Sequence, residues 1–149
     1  MKVRVQREDF DAGAEMRALS RDPKVGAVAS FVGVVREVGM TLEHYPGMTE
    51  KALQRIVEEA AGRWQVMDCT VIHRVGELAP TDQIVLVAVA SAHRGDAFAV
   101  CEFIMDYLKT QAPFWKKEAT GWVEARASDD AAAERWSTAA ARSPSRQRQ

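Results

Sequence analysis

Apolar side chains recur along residues 49–64 at the spacing of one face of an α-helix. They are Leu53, Ile56, Val57, Ala60, Ala61 and Trp64. The pattern predicts an amphipathic helix that packs on a core, with Thr49 as its cap. A second helix is predicted over 96–112, ending before Pro113 because proline prevents its simple continuation. Its predicted buried side chains are Phe98, Cys101, Met105 and Leu108.

Residues 84–92 are almost continuously apolar, which is typical of a strand covered on both faces. Gly33 indicates a bulge or a close backbone approach within a strand over 26–37. The next strand, 40–45, is a candidate to pair with its predecessor as a hairpin. Further strands are predicted at 2–6, 69–76 and 121–127, and further helices at 9–20, capped by Asp9 or Asp11, and at 129–136, capped by Ser128.

Helices and strands therefore alternate along the chain, which predicts an α/β or α+β fold with helices packed on a mixed or antiparallel sheet. The 149 residues suffice for one domain with a proper core. That domain is expected to span 1–136. Residues 137–149 carry no large apolar side chain, so they are expected to form a disordered tail.

The formal net charge of −1 gives no global field for nucleic acid or for an anionic membrane. Any anion site must therefore be a local cluster of basic groups. Two cysteines without a C-x-x-C pair indicate neither a disulfide framework nor a zinc ribbon. No signal peptide and no apolar run of membrane-spanning length is found, so a cytoplasmic protein is expected.

The first candidate for chemistry is SAHRGDAF, residues 91–98. A strand ends here and a helix begins, and its N–H groups beside His93 and Arg94 would suit a phosphate. The alternative is that Asp96 caps the helix while His93 and Arg94 are ordinary solvated residues.

The second candidate is KTQAPFWKKE, residues 109–118. Pro113 forces a turn between Lys109 and Lys116, so their amines can converge. An amine beside Phe114 and Trp115 would be partly desolvated and would lose its proton more readily, as a catalytic lysine requires. The alternative is a solvated helix end, where lysine interacts favourably with the helix dipole.

His44 and His73 lie in predicted strands, and Cys69, Val71 and His73 can share a strand face. Two potential ligands do not make a metal site, so a structural role is preferred and no metal or cofactor is expected. Two alternatives to an enzyme remain. A phosphate-binding regulatory domain would use only His93 and Arg94, and an oligomerisation domain would explain neither basic stretch.

Six segments then occur in one order over about residues 3–136: FVGVVR, LEHYPGMTEKAL, VIHRVGEL, SAHR, FIMDYLKTQAPFWKKE and WVEAR. Together they closely resemble the family of large, catalytic subunits of molybdopterin synthase. The resemblance implies an α/β hammerhead-like domain with an additional β-rich part. The connection at 37–40 is shorter than is usual in that family, and the linker at 118–122 is shorter than in some relatives.

The resemblance also implies a sulfurtransferase of molybdenum cofactor biosynthesis. It would convert cyclic pyranopterin monophosphate to the molybdopterin dithiolene. The sulfur would come from a small ubiquitin-like subunit with a C-terminal Gly-Gly thiocarboxylate, within a heterotetramer built around a homodimer of the large subunit.

The site residues implied by the resemblance fall into two groups. Lys109 and Lys116 match the catalytic lysines of the family. The substrate-binding positions match Phe31, Val34, Val35, Arg36, His93, Arg94, Lys117, Glu118 and Arg126.

Overall fold

The computed structural model describes residues 1–118, 121–123 and 132–136. Three helices are α1 (Ala12–Leu19), α2 (Met48–Arg63) and α3 (Arg94–Gln111), and residues 132–134 add one helical turn. Eight strands are β1 (Lys2–Gln6), β2 (Ala27–Val34), β3 (Met40–His44), β4 (Asp68–Arg74), β5 (Gly76–Leu78), β6 (Gln83–Ser91), β7 (Phe114–Glu118) and β8 (Gly121–Val123). The described part is thus the mixed α/β fold that the sequence predicts.

The strands form two four-stranded sheets. The larger sheet has the order β1-β4-β6-β2, in which only the β1–β4 pair is parallel among the described strands. Its central strand β6 is buried from Val85 to Ser91, so the prediction of a strand covered on both faces is confirmed. The smaller sheet has the order β5-β3-β7-β8 and is antiparallel.

The main core lies between the larger sheet and helices α2 and α3. Leu53, Ile56 and Val57 of α2 meet Val85, Val87 and Val89 of β6 there. On the opposite face, α1 covers Ile72, Leu86 and Ala88. Asp11 caps α1 by accepting from Ala14 N at 3.0 Å, as one of the two predicted caps.

The predicted hairpin of β2 with β3 is wrong. β3 lies in the smaller sheet, where it pairs with β5 and β7, while β2 is an edge strand of the larger sheet. Gly33 does mark a register irregularity. A Cβ there would lie 2.9 Å from Val85 Cγ1 and 3.4 Å from the Phe31 ring, so glycine permits a close approach.

Three further details differ from expectation. Gly47 rather than Thr49 precedes α2, and Thr49 is buried inside its first turn. α3 begins at Arg94, so His93 is its N-cap and Asp96 lies within the first turn. Phe98 is 65% exposed, whereas Cys101, Met105 and Leu108 are buried as predicted. Ser128 and residues 137–149 lie outside the described part.

Candidate functional site

The chain between Lys109 and Lys116 bends where helix α3 gives way to strand β7. The helix ends at Gln111, and Pro113 separates it from β7. Phe114 N donates to Ala112 O at 2.9 Å, which tightens the bend. The predicted turn at Pro113 is confirmed, while the strand that follows it was not predicted.

Strand β7 sends alternate side chains to opposite faces of the smaller sheet. Phe114 and Lys116 lie on the face that carries His44 and Leu42, their partners on β3. Trp115 and Lys117 lie on the other face, where the ring centroids of Trp115 and Tyr45 are 6.3 Å apart. Lys116 and Lys117 therefore cannot serve one pocket through the same face. Glu118 ends β7, and Arg126 lies outside the described residues.

A buried histidine lies where these elements meet. The His73 ring stacks on the Phe114 ring, with centroids 3.8 Å apart and an interplanar angle of 19°. His73 Nδ1 lies 2.8 Å from Arg74 O. A carbonyl oxygen only accepts, so Nδ1 carries the proton and Nε2 keeps its lone pair.

His73 is neutral at physiological pH. Its pKa is lowered from 6.5 to about 4, first by burial and further by positive charge on Lys109 and His44, against the hydrogen bond to Arg74. Lys109, the basic residue in the last turn of α3, precedes Pro113 by four residues. Lys116 follows Phe114 by two residues on the same face, roughly 7 Å along the strand. The two lysines thus lie on either side of the bend, Lys109 before Pro113 and Lys116 after it, and the bend carries the Phe114 ring that stacks on the buried His73.

The expected desolvation of Lys109 by two aromatic rings is not found within the single chain. Lys109 is exposed, while Lys116 is half-buried. The reason is that Phe114 turns inward onto His73, and Trp115 turns to the opposite face of β7 beside Tyr45. Within the described part of the chain these two rings therefore leave the Lys109 side chain exposed.

Arg36 lies between two turns that each contain a non-glycine residue with positive φ. Both turns are at the end of the larger sheet where β2 ends and β6 begins. Ala79–Asp82 forms a β-turn closed by Asp82 N donating to Ala79 O at 3.0 Å, with Thr81 at φ 78°. That turn also binds both backbone groups of Val35, through Thr81 N to Val35 O and Val35 N to Asp82 O, each 2.9 Å.

The second turn follows Arg36 directly. Val38 N donates to Arg36 O at 2.8 Å around Glu37, whose φ is 68°. This is a γ-turn with positive φ, a rare and strained conformation for a non-glycine residue. The Arg36 side chain is exposed. Its backbone is fixed by the hydrogen bonds of Val35 before it and of Val38 after it.

The other predicted positions on this strand differ in accessibility. Phe31 and Val34 are exposed on β2 and can meet a ligand or another chain. Val35 is only 3% exposed and packs with Leu42 and Leu78. Its side chain therefore supports the site from inside and does not line it.

His93 and Arg94 lie at the opposite end of α3. Both are exposed around the first turn of the helix, as a phosphate site would require. Asp96 Oδ2 accepts from Gln65 N at 3.0 Å, and Ser91 Oγ donates to Gln65 O at 2.8 Å, so this end is tied to the α2–β4 connection.

The two groups of basic residues do not meet within one chain. Fifteen residues separate Arg94 from Lys109, and at about 1.5 Å per helical residue this corresponds to roughly 22 Å. Arg36 belongs with the lysines, because β2 ends opposite Gln83, the first residue of β6, while His93 and Arg94 follow the other end of β6.

Neither cysteine is suited to act as a nucleophile in the folded chain. Burial raises the pKa of the Cys69 and Cys101 thiols to about 12 each, so neither supplies a thiolate nucleophile. Within residues 1–118, 121–123 and 132–136, no group of three or more His, Cys, Asp or Glu side chains could hold a metal ion. No helix in the described ranges is long and apolar enough to cross a membrane.

Sequence reasoning missed two residues that shape the lysine pair. His73 was predicted to be structural, and Thr49 was considered only as a cap. The strand alternation did place His73 on the core face with Cys69 and Val71, which is confirmed. Its contact with Phe114 was not foreseen because strand β7 was not.

A mixed α/β domain that gathers two lysines and an arginine at one end defines a protein suited to an anionic ligand. The chain belongs to the MoaE protein family, whose profile matches residues 5–111. It is 61% identical over 146 residues to the molybdopterin synthase catalytic subunit of Ralstonia nicotianae, covering 90% of this chain and 83% of the relative.

Solved structures agree. A molybdopterin cofactor biosynthesis protein E from Burkholderia multivorans is 62% identical with a TM-score of 0.83, covering 92% of this chain and 97% of the other. The molybdopterin synthase of Staphylococcus aureus is 32% identical with a TM-score of 0.72, covering 80% and 90% respectively. The family resemblance seen in the sequence and the expected fold are both confirmed.

Proposed function

We propose that this protein is the catalytic subunit of a molybdopterin synthase. It transfers sulfur from the thiocarboxylated C-terminus of a small ubiquitin-like subunit to cyclic pyranopterin monophosphate, forming the molybdopterin dithiolene. The observation that carries the proposal is the bend at Pro113 between Lys109 and Lys116, held by the stack of Phe114 on His73, in a chain 61% identical to a catalytic subunit of that name.

The charges of the site match those of the reactants. A thiocarboxylate and a substrate phosphate are both anions, and a chain of net charge −1 can attract them only through a local cluster. Lys109 holds the thiocarboxylate end and serves the proton transfers at the reacting sulfur. Lys116 and Arg36 bind the substrate, Lys116 as a point charge and Arg36 through its planar guanidinium.

A second copy of the chain completes the site. His93 and Arg94 lie roughly 22 Å along α3 from Lys109, so they act on the substrate only if they come from another protomer. This argument supports a large-subunit homodimer within a heterotetramer. A second protomer also buries Lys109, which is exposed in the described part of one chain.

The two buried, unpaired thiols fit a reducing compartment, and we place the activity in the cytoplasm.

The test is turnover of the cyclic precursor by the purified protein mixed with its thiocarboxylated partner. Dithiolene product is expected at a rate proportional to the concentration of the complex. The control is the same partner ending in an ordinary carboxylate, which should give none. Absence of product with a thiocarboxylated partner that binds would overturn the proposed function.

A further inference from the structure

Two buried side chains hold the Pro113–Phe114 bend, one through a hydrogen bond and the other through a ring stack. Thr49, which is 0% exposed, lies in the first turn of α2, and its Oγ is 3.2 Å from Pro113 O. His73, which is 5% exposed, lies on β4 and stacks on Phe114. The bend is therefore held by side chains from two elements far from it in sequence.

The Thr49 hydroxyl is fully committed to this region. Its oxygen accepts from Tyr45 N at 3.0 Å, and its one proton is shared between Tyr45 O at 3.0 Å and Pro113 O at 3.2 Å. Tyr45 directly follows β3, and His44 at the end of β3 pairs with Phe114. The hydroxyl thus ties the end of β3 and the start of β7 to helix α2.

The His73 ring acts on the same segment by stacking alone. Its one N–H is used by Arg74 O, so the contact with Phe114 is made by the ring faces. Lys116 extends from the face of β7 that carries Phe114, and Lys109 precedes the bend by four residues. Movement of Phe114 would consequently change the spacing of the two amines.

We propose that Thr49 and His73 are positioning residues for sulfur transfer, which fix the spacing of Lys109 and Lys116 by holding the Pro113–Phe114 bend. The inference rests on the proposed function. Neither residue touches the reactants. Because catalytic groups must be held within fractions of an ångström, loosening the bend lowers the rate of the chemical step and leaves partner binding intact.

The experiment separates the two contacts of His73. His73→Phe keeps a stacked ring and, since the native imidazole is neutral, leaves the charge beside Lys109 unchanged. His73→Asn keeps an N–H for Arg74 O and loses the ring. In single-turnover assays with saturating partner and precursor, His73→Asn should react on the order of 100-fold more slowly, while His73→Phe stays within about threefold of wild type.

Thr49 is tested by a pair that differs in the hydroxyl. Thr49→Val is nearly isosteric and lacks it, and Thr49→Ser retains it. Thr49→Val should lower the single-turnover rate by about tenfold, and Thr49→Ser should restore it to within about threefold of wild type. Calorimetric titration of the partner should give the same Kd for all four variants.

Val71→Ala is the matched control, since Val71 lies two residues before His73 on the same buried face of β4. It loses core packing without touching the bend, so its single-turnover rate should remain near wild type despite a lower Tm. The proposal is overturned if His73→Asn reacts normally, if His73→Phe is as slow as His73→Asn, if Thr49→Val equals Thr49→Ser, or if Val71→Ala loses as much rate. A wild-type protein without turnover would instead refute the proposed function itself.

Discussion

Both ends of helix α3 carry basic groups, but one group comes from neighbouring residues and the other is brought together from distant parts of the sequence. The end at His93 and Arg94 is mostly local: residues 91–96 build it, and Gln65 and Gly26 attach to it from distant parts of the sequence. The end at Lys109 is assembled from α2, β2, β4 and β7, which come from all parts of the chain. A local group needs only an exposed turn, whereas an assembled group needs a folded core to set its distances.

The largest effect is expected at the Lys109 end of α3, which we call the lysine end. Lys109→Ala should lower the single-turnover rate by on the order of 1,000-fold, with unchanged partner affinity, because a group that acts on the reacting atoms is lost. Lys109→Arg should fail as well, since a guanidinium stays protonated.

Lys24→Ala is the control for Lys109, because Lys24 is also exposed but lies in the connection between α1 and β2 and has no role in the proposed site. It should remain within about threefold of wild type. Near-normal single turnover by Lys109→Ala would return Lys109 to a solvated helix end and contradict the catalytic assignment.

The second prediction concerns stability at the lysine end. The pKa of His73 is lowered from 6.5 to about 4 on folding, so the unfolded chain binds a proton that the folded chain excludes. The stability contributed by the neutral ring is present above about pH 6.5 and is lost as the pH falls to about 4. At about 1.4 kcal/mol per pH unit, the loss is roughly 3 kcal/mol.

Urea unfolding at pH 7 and at several values down to pH 4 measures this dependence, and His73→Phe is the comparison. The variant should show a shallower decline in the free energy of unfolding over that window. Parallel pH profiles for the two proteins would mean that His73 is not the group responsible.

At the other end of α3, which carries His93 and Arg94, a change should affect precursor binding and not stability. Arg94→Ala is expected to weaken precursor binding about tenfold and to leave Tm nearly unchanged, because an exposed arginine contributes little to stability. Loss of folding with unchanged affinity would make Arg94 structural.

Mixing the Lys109→Ala and Arg94→Ala chains, assayed at precursor concentrations well below saturation, tests whether the two ends meet between protomers. In a mixed dimer of Lys109→Ala and Arg94→Ala, one site has both changes and the other has neither. After random exchange, about a quarter of the sites should be intact. Activity no higher than the average of the separate variants would show that the two ends never share a site.

The smallest expected effect concerns the strained turn at Glu37, which directly follows Arg36 near the lysine end. Glu37→Gly should raise the free energy of unfolding by roughly 1 kcal/mol, because glycine adopts a φ of 68° without strain. Glu37→Ala keeps the Cβ and should give no such gain in chemical denaturation. Equal stabilities of the glycine and alanine variants would argue against strain at this position.

The regular elements could be read from the sequence because burial follows a short period there. The stripe of α2 and the unbroken run of β6 each predict a buried element, and both are found within one residue of their expected limits. Phe98 was misassigned because it borders that face of α3, beside Cys101 and Met105, where no described element covers it. Periodicity defines a face but not the width of what packs on it.

The assembled end was less predictable for a different reason. Its decisive contacts join Thr49 to Pro113 and His73 to Phe114, across long separations in sequence. The motif KTQAPFWKKE indicates which residues matter. It does not show that Lys116 and Lys117 lie on opposite faces, because that depends on β7, a strand of only five residues. The failed β2–β3 hairpin has a similar cause, since the γ-turn at Glu37 carries the chain from β2 into the second sheet.

The parallel pairing of β1 with β4 has a consequence for the order of folding. Lys2 lies opposite Thr70, so this pair closes a loop of more than sixty residues, while β4 and β6 are joined through a short connection. Since closure entropy grows with loop length, β4, β6 and α3 should form the nucleus and β1 should dock late. Destabilising changes in β1 should therefore accelerate unfolding and leave the refolding rate almost unaltered.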